Sequence, residues 1–189
     1  MSGARWLSSE QQRAWRAYLQ SSKVLFDALD RQLQRDSDMP HAYYEILVVL
    51  SETDDHALRM SELAERTLSS RSRLSHAVAR LEERGWVMRE DCPTDRRGQI
   101  ARLTDVGFGR LTEAAPGHVD AVREYVIDNL TPEQLEQLTA IGEAIVAKVA
   151  DSASGGQPAA KPAGRGHRSD RLSGSLPATA ARSPGSSPP

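Results

Sequence analysis

The chain has 189 residues, a net charge of −2, 39 % hydrophobic and 5 % aromatic content, which fits one domain with an appendage and a core that is sufficient rather than generous. A single cysteine, Cys92, excludes an intramolecular disulfide framework. No apolar run approaches the roughly 18 residues of a membrane span, and the first residues lack a signal-peptide core, so a soluble cytoplasmic protein is expected.

Residues 1–7 are expected to be a flexible lead. From Ser9 to Arg35, Trp15, Leu19, Phe26, Leu29 and Leu33 recur at helical spacing with Tyr18 and Leu25 alongside, and Ser8 or Ser9 starts the helix. Asp36 to Asp38 and Pro40 end it. A second helix, His41 to Ser51, is apolar around most of its circumference and should be buried. A short charged loop, Glu52 to Ala57, leads into a helix from Ser61 to Thr67, with Ser61 as its cap.

Ser70 caps the next helix, Arg71 to Arg84, and Gly85 closes it in a left-handed conformation. Leu74, Val78 and Leu81 form its buried stripe, while Ser72, Arg73, His76, Arg80 and Glu83 fall on the other side. A short helix, a tight turn and a longer helix with a basic outer face make a helix-turn-helix pattern. The periodicity then changes. Trp86 to Glu90 and Gln99 to Leu103 read as strands around the polar loop Asp91 to Gly98, which gives a β-hairpin wing.

Thr104 caps a helix running through Phe108, Leu111, Val119 and Val126 to Leu130, which Pro116-Gly117 should kink or briefly break. Thr131-Pro132-Glu133-Gln134 is a capping box with proline at the first helical position. In the last helix Leu138, Ile141, Ile145 and Val149 form a seam suited to a partner. From Asp151 to Pro189 only Leu172 and Leu176 are large aliphatics, so this Pro/Ala/Gly/Ser-rich tail is expected to be disordered. It carries a net +3, and residues 71–102 hold eight arginines against five acids, again +3, on an otherwise acidic body. A local basic stripe of this kind is the footprint of nucleic-acid binding. The composition of 21 Arg and three Lys also reflects base composition and counts for less.

Three stretches resemble the MarR family of winged helix-turn-helix regulators. They are Asp95-x-Arg97-x5-Leu103-Thr104 across the wing, Glu62-Leu63-Ala64-Glu65-Arg66 followed by Ser70-Arg71-Ser72-Arg73-Leu74, and Arg80-Leu81-Glu82-Glu83-Arg84-Gly85-Trp86-Val87. The likeness covers roughly residues 8–150. It implies a mainly α fold with a small β-hairpin wing, the reading head at about 57–104 and dimerisation helices at about 9–35 and 105–150. It further implies a homodimeric, nucleoid-associated transcriptional regulator in a bacterial cytoplasm, bound to a palindromic operator and released by a small ligand. Repression by occupancy is the default, with activation as the alternative.

On this view double-stranded DNA meets Ser70, Ser72, Arg73, Ser75, His76 and Arg80. Arg73 can reach guanine O6 and N7 bidentately, and the free N–H groups near Ser70 suit a phosphate. In the wing, Arg96 and Arg97 can enter the narrow minor groove. The resemblance makes Arg97 the inserted residue and Asp95 the support that holds it extended.

Other signals are weaker. Cys92 is expected to be a plain exposed cysteine, because Asp91 and Asp95 disfavour the thiolate a redox sensor needs. His41 and Glu45 stand at i, i+4, but a third metal ligand is missing, so no metal or other cofactor is expected. Trp15, Tyr18, His41, Tyr43 and Tyr44 could line a site for a small aromatic effector, although aromatics at this spacing are more often core. Without a Gly-rich phosphate loop or a nucleophile elbow, an enzyme is not expected. A winged-helix module that grips protein is the rival, disfavoured by the arginine and serine on the outer face of residues 71–84.

Overall fold

The computed structural model describes residues 4–93 and 95–154, with the side chains of Arg96, Arg97, Ala153 and Ser154 outside that description. Residues Met1–Ala147 form one compact unit. The end of the last helix falls in a second, Lys148–Pro189, so the tail expected at 151–189 lies almost wholly outside the described residues.

The elements, in chain order, are α1 (Ser9–Ser37), α2 (His41–Ser51), β1 (Ala57–Arg59), α3 (Met60–Arg66), α4 (Arg71–Glu83), β2 (Val87–Cys92), β3 (Asp95–Leu103), α5 (Asp105–Tyr125), a 3-10 turn (Ile127–Asn129) and α6 (Pro132–Ser154). The fold is thus mainly helical with a small antiparallel sheet ordered β1-β3-β2.

Local chemistry sets most helix ends. Ser8 and Gln11 form a reciprocal capping box at α1, as Thr131 and Gln134 do before α6. α1 ends at Asp38, which sits in the left-handed region, with the Met39 N–H returning to the Leu33 carbonyl at 3.3 Å. α2 begins after Pro40 and has no cap of its own. Asp30 on α1 supplies one, accepting from the His41 N–H at 2.8 Å. Gly85 has φ +71 and closes α4 as expected: its N–H bonds the Glu82 carbonyl and the Trp86 N–H bonds the Leu81 carbonyl, both at 2.9 Å.

Three expectations need correction. The stretch after Glu52 is not all loop, because Ala57–Arg59 pairs with Ile100–Arg102 as a third strand. α3 accordingly starts at Met60 with Arg59 in the cap position and no side-chain cap, so Ser61 lies inside the helix. α5 runs through Pro116 as one helix to Tyr125, and Leu130 lies beyond it. The missing backbone bond at a mid-helix proline costs about 3 kcal/mol. Burial of Leu111, Ala114, His118 and Ala121 along the α5 face that packs toward α1 offsets that cost.

The core lies where α2, α3, α4 and the sheet meet. Leu33, Met39, Leu47, Leu50, Leu63, Leu74, Leu81, Val78 and Val87 are its largest fully buried side chains. α2 is buried at Tyr44, Ile46, Leu47 and Leu50, as its all-round apolarity requires.

Candidate nucleic-acid interface

The packing of α4 decides which of its side chains can meet a ligand. Leu74, Val78 and Leu81 are sealed in the core. Their burial turns Arg71, Ser72, Arg73, Ser75, His76 and Arg80 outward, and all six are exposed. The Ser70 hydroxyl is already engaged: it accepts from the Arg73 N–H at 3.3 Å and caps the helix.

The arginines differ in how far they are neutralised. Arg66 pairs with Glu62, Arg80 with Glu83, Arg84 with Asp38, Arg89 with Glu82, Arg102 with Glu90, Arg110 with Glu113 and Arg123 with Asp128. Arg71 and Arg73 have no such carboxylate partner among the described residues. They occupy the first turn of α4, where the backbone N–H groups add positive potential. Sequence reasoning singled out Arg73 and passed over Arg71, although its place directly after the Ser70 cap already marks it as a surface cation of the first turn. Arg80 keeps its charge but is held by Glu83 at 2.7 Å, so its guanidinium is less free than that of Arg73.

α4 is tied firmly to the wing. Glu82 accepts from both the backbone N–H and Nε of Arg89, at 3.1 and 2.8 Å. Across the sheet Arg102 donates to both Glu90 oxygens, at 2.8 and 3.1 Å, which lowers the pKa of the Glu90 carboxyl, chiefly through this hydrogen bonding.

The wing strands run further than the sequence indicates. β2 reaches Cys92 and β3 begins at Asp95, directly paired with it. A register shift between Asp91 and Cys92 turns the cysteine inward. Cys92 is therefore buried rather than exposed. Its Cβ would stand 3.1 Å from a Cβ added at Gly98, so the hairpin closes tightly there. Asp95 is exposed at the start of β3. Arg96 and Arg97 follow it in the strand, and their side chains lie outside the described residues.

The five aromatic and histidine residues considered for an effector do not gather in one place. Trp15 and Tyr18 stack on each other at 6.0 Å on the exposed part of α1. Tyr43 lies beneath the Arg84 guanidinium. His41 and Tyr44 meet His118 of α5, with ring centroids 5.6 and 4.4 Å from it. His118 escaped the sequence reading because its partners come from another helix some 75 positions away. Its burial, with His41 nearby, lowers its pKa to about 4. Glu45 is raised by burial, an effect His41 partly offsets. No cluster of three metal-ligating side chains occurs among the described residues, and none of their helices is long and apolar enough to cross a membrane.

Comparison with known proteins agrees with this architecture. A family model described as the MarR family matches residues 37–98. The structure of Sco3205, a MarR family transcriptional regulator from Streptomyces coelicolor solved in complex with DNA, is 55 % identical. The match covers 77 % of this chain and 91 % of that one, with a TM-score of 0.74. AbsC, a MarR family transcriptional regulator from the same organism, is 40 % identical over 78 % of this chain and 99 % of its own, also at 0.74. The transcriptional repressor MprA of Escherichia coli is 30 % identical over 95 residues, 49 % of this chain and 54 % of MprA. The chain spans about half the length of the first curated relatives it matches. On the strength of the long, closely similar alignments, the chain belongs to the MarR family of transcriptional regulators.

Proposed function

We propose that the chain is a homodimeric, sequence-specific DNA-binding regulator that represses transcription by occupying a palindromic operator and is released by a small ligand. The observation that carries this reading is the exposed first turn of α4, where Arg71 and Arg73 alone among the described arginines of residues 60–130 lack a carboxylate partner. Their position suits the major groove, with Arg73 aimed at a guanine edge and Arg71 at a phosphate. Ser72, Ser75 and His76 complete the reading face. Ser70 fixes the start of the helix, and Arg80 is a secondary phosphate contact. In the wing, Arg97 and Arg96 are proposed for the minor groove, with Asp95 supporting Arg97.

A palindrome needs two such helices held about 34 Å apart. Exposed apolar side chains at Leu138, Ile141, Ile145, Val146 and Val149 on α6, and at Trp15, Leu19 and Val24 on α1, support pairing through both chain ends. The effector, a small aromatic molecule, is assigned to the junction of α1, α2 and α5 around His41, Tyr44 and His118. Trp15 and Tyr18 belong instead to the pairing surface. The relatives named as transcriptional regulators support a regulatory rather than an enzymatic role.

The test combines sedimentation velocity with selection of bound fragments from the source genome and gel-shift titration at several salt concentrations. A dimer that enriches a palindrome, with affinity falling steeply in salt, is expected. A stable monomer, or equal affinity for every duplex, overturns the proposal.

A further inference from the structure

Leu68 occupies the turn between α3 and α4, with φ +48 and 86 % of its surface exposed. Both features run against stability. A leucine in the left-handed region bears a steric cost that glycine does not, and its apolar surface stays in water. The conformation is imposed by hydrogen bonds that close α3: the Leu68 N–H bonds the Glu65 carbonyl at 3.2 Å and the Ser69 N–H bonds the Ala64 carbonyl at 2.9 Å. Thr67, buried beneath, anchors the same turn through its hydroxyl to the Leu63 carbonyl. Glycine would satisfy this backbone fully. The fold therefore gives no reason for a branched apolar side chain at this point.

The neighbours supply one. Two residues on, Ser70 begins α4, and the unpaired Arg71 and Arg73 follow. Leu68 and Arg71 are three residues apart, so their Cα atoms are separated by no more than about 11 Å. A polyanion drawn by these arginines onto the first turn of α4 therefore lies close to Leu68. On a duplex in the major groove, the apolar feature of the base edges is the thymine C5 methyl group.

We infer that Leu68 is a specificity-determining residue that contacts a thymine methyl at the edge of each half-site. This rests on the proposal that α4 reads DNA. The hydrogen-bonded turn fixes the Leu68 backbone before binding, so little backbone ordering is required on contact.

The experiment uses a duplex selected by the wild-type full-length chain from a random-sequence pool. Each thymine of the half-site is replaced singly by deoxyuridine, which lacks only the methyl group. Affinities are measured for the wild type, Leu68→Gly and Leu68→Asn, asparagine being the other residue that readily accepts positive φ. One uracil position is expected to weaken the wild type about fivefold and to leave both variants unmoved. On the thymine duplex the variants should bind several-fold more weakly, while their melting temperatures equal or exceed that of the wild type. The inference is overturned by equal uracil penalties in all three proteins, by none at any position, or by wild-type affinity in the variants. Should the wild type select no sequence at all, the DNA-reading proposal fails first. Selection of a site with a flat uracil scan removes only the role of Leu68.

Discussion

A Cβ atom on Gly107 would stand 2.0 Å from the carbonyl oxygen of Trp86. The first turn of α5 therefore lies directly on the turn joining α4 to β2. Thr104 locks the same junction, accepting from the Gly107 N–H at 3.0 Å and donating its hydroxyl to the Gly85 carbonyl at 2.7 Å. Trp86 is itself flanked by the guanidinium groups of Arg84 and Arg110, at 4.9 and 5.6 Å from its ring. Because the opposing atom is backbone, no rotamer change can relieve the contact. Gly107→Ala is expected to lower stability by about 2 kcal/mol or more, read as a reduced urea midpoint at unchanged slope.

The pairing pattern of the arginines separates the contacts within α4. Arg73→Ala should weaken operator binding about tenfold or more, corresponding to roughly 1–3 kcal/mol for a lost bidentate contact. Arg80→Ala should cost less, because Glu83 already occupies its guanidinium. Glu83→Ala should raise affinity for unrelated duplexes by freeing Arg80. Fluorescence anisotropy on selected and scrambled duplexes checks all three, and equal losses for Arg73→Ala and Arg80→Ala would refute the ordering.

For Arg97 the expectation is distinct. Arg97→Ala should weaken operator binding and flatten its salt dependence by about one unit of slope, with dimerisation intact. A gel-shift titration with unchanged affinity removes Arg97 from the interface.

His118 gives the fold a defined response to acid. It is buried against Tyr44 and His41, and its pKa falls from 6.5 to about 4. Above about pH 6.5 neither the folded nor the unfolded chain protonates it, and its full contribution to stability is present. Between 6.5 and 4 the unfolded chain takes the proton while the native one resists, so stability declines as pH falls. Below 4 both states carry the proton and the decline from this group stops. The loss is at most about 3 kcal/mol. Denaturation at pH 7 and pH 4.5 should show a drop that is about 2 kcal/mol smaller in His118→Leu, and an identical drop in both proteins would exclude His118 as its source.

The apolar row of α6 predicts a break in assembly without loss of fold. Ile141 and Ile145 are exposed within the single chain, so a charge there does little to the monomer's own core. Ile141→Asp and Ile145→Asp should each shift the sedimentation coefficient to that of a monomer while helical content is retained. A dimer that persists in both variants would place the pairing surface elsewhere.

Features with local causes were legible in the chain itself. Ser8 with Gln11, Thr131 with Gln134, Ser70 with Arg73, and Gly85 with Glu82 each mark a helix end by hydrogen bonds between residues a few positions apart. The period of Leu74, Val78 and Leu81 fixes which face of α4 is buried, and hence which side chains point outward. The likeness across Asp95 to Thr104 marks the wing. Tertiary structure decided the rest, because the deciding partners are distant in sequence. Ala57–Arg59 is too short to show a strand period and becomes one only through pairing with β3. Pro116 reads as a break, but packing of the surrounding face toward α1 keeps α5 whole. Cys92 turns inward through a register shift that composition does not encode. The depressed basicity of His118 and the unneutralised state of Arg71 and Arg73 depend on which carboxylates and rings the fold brings near. Local hydrogen bonding and periodicity thus specify the elements, whereas burial and charge pairing arise only when those elements meet.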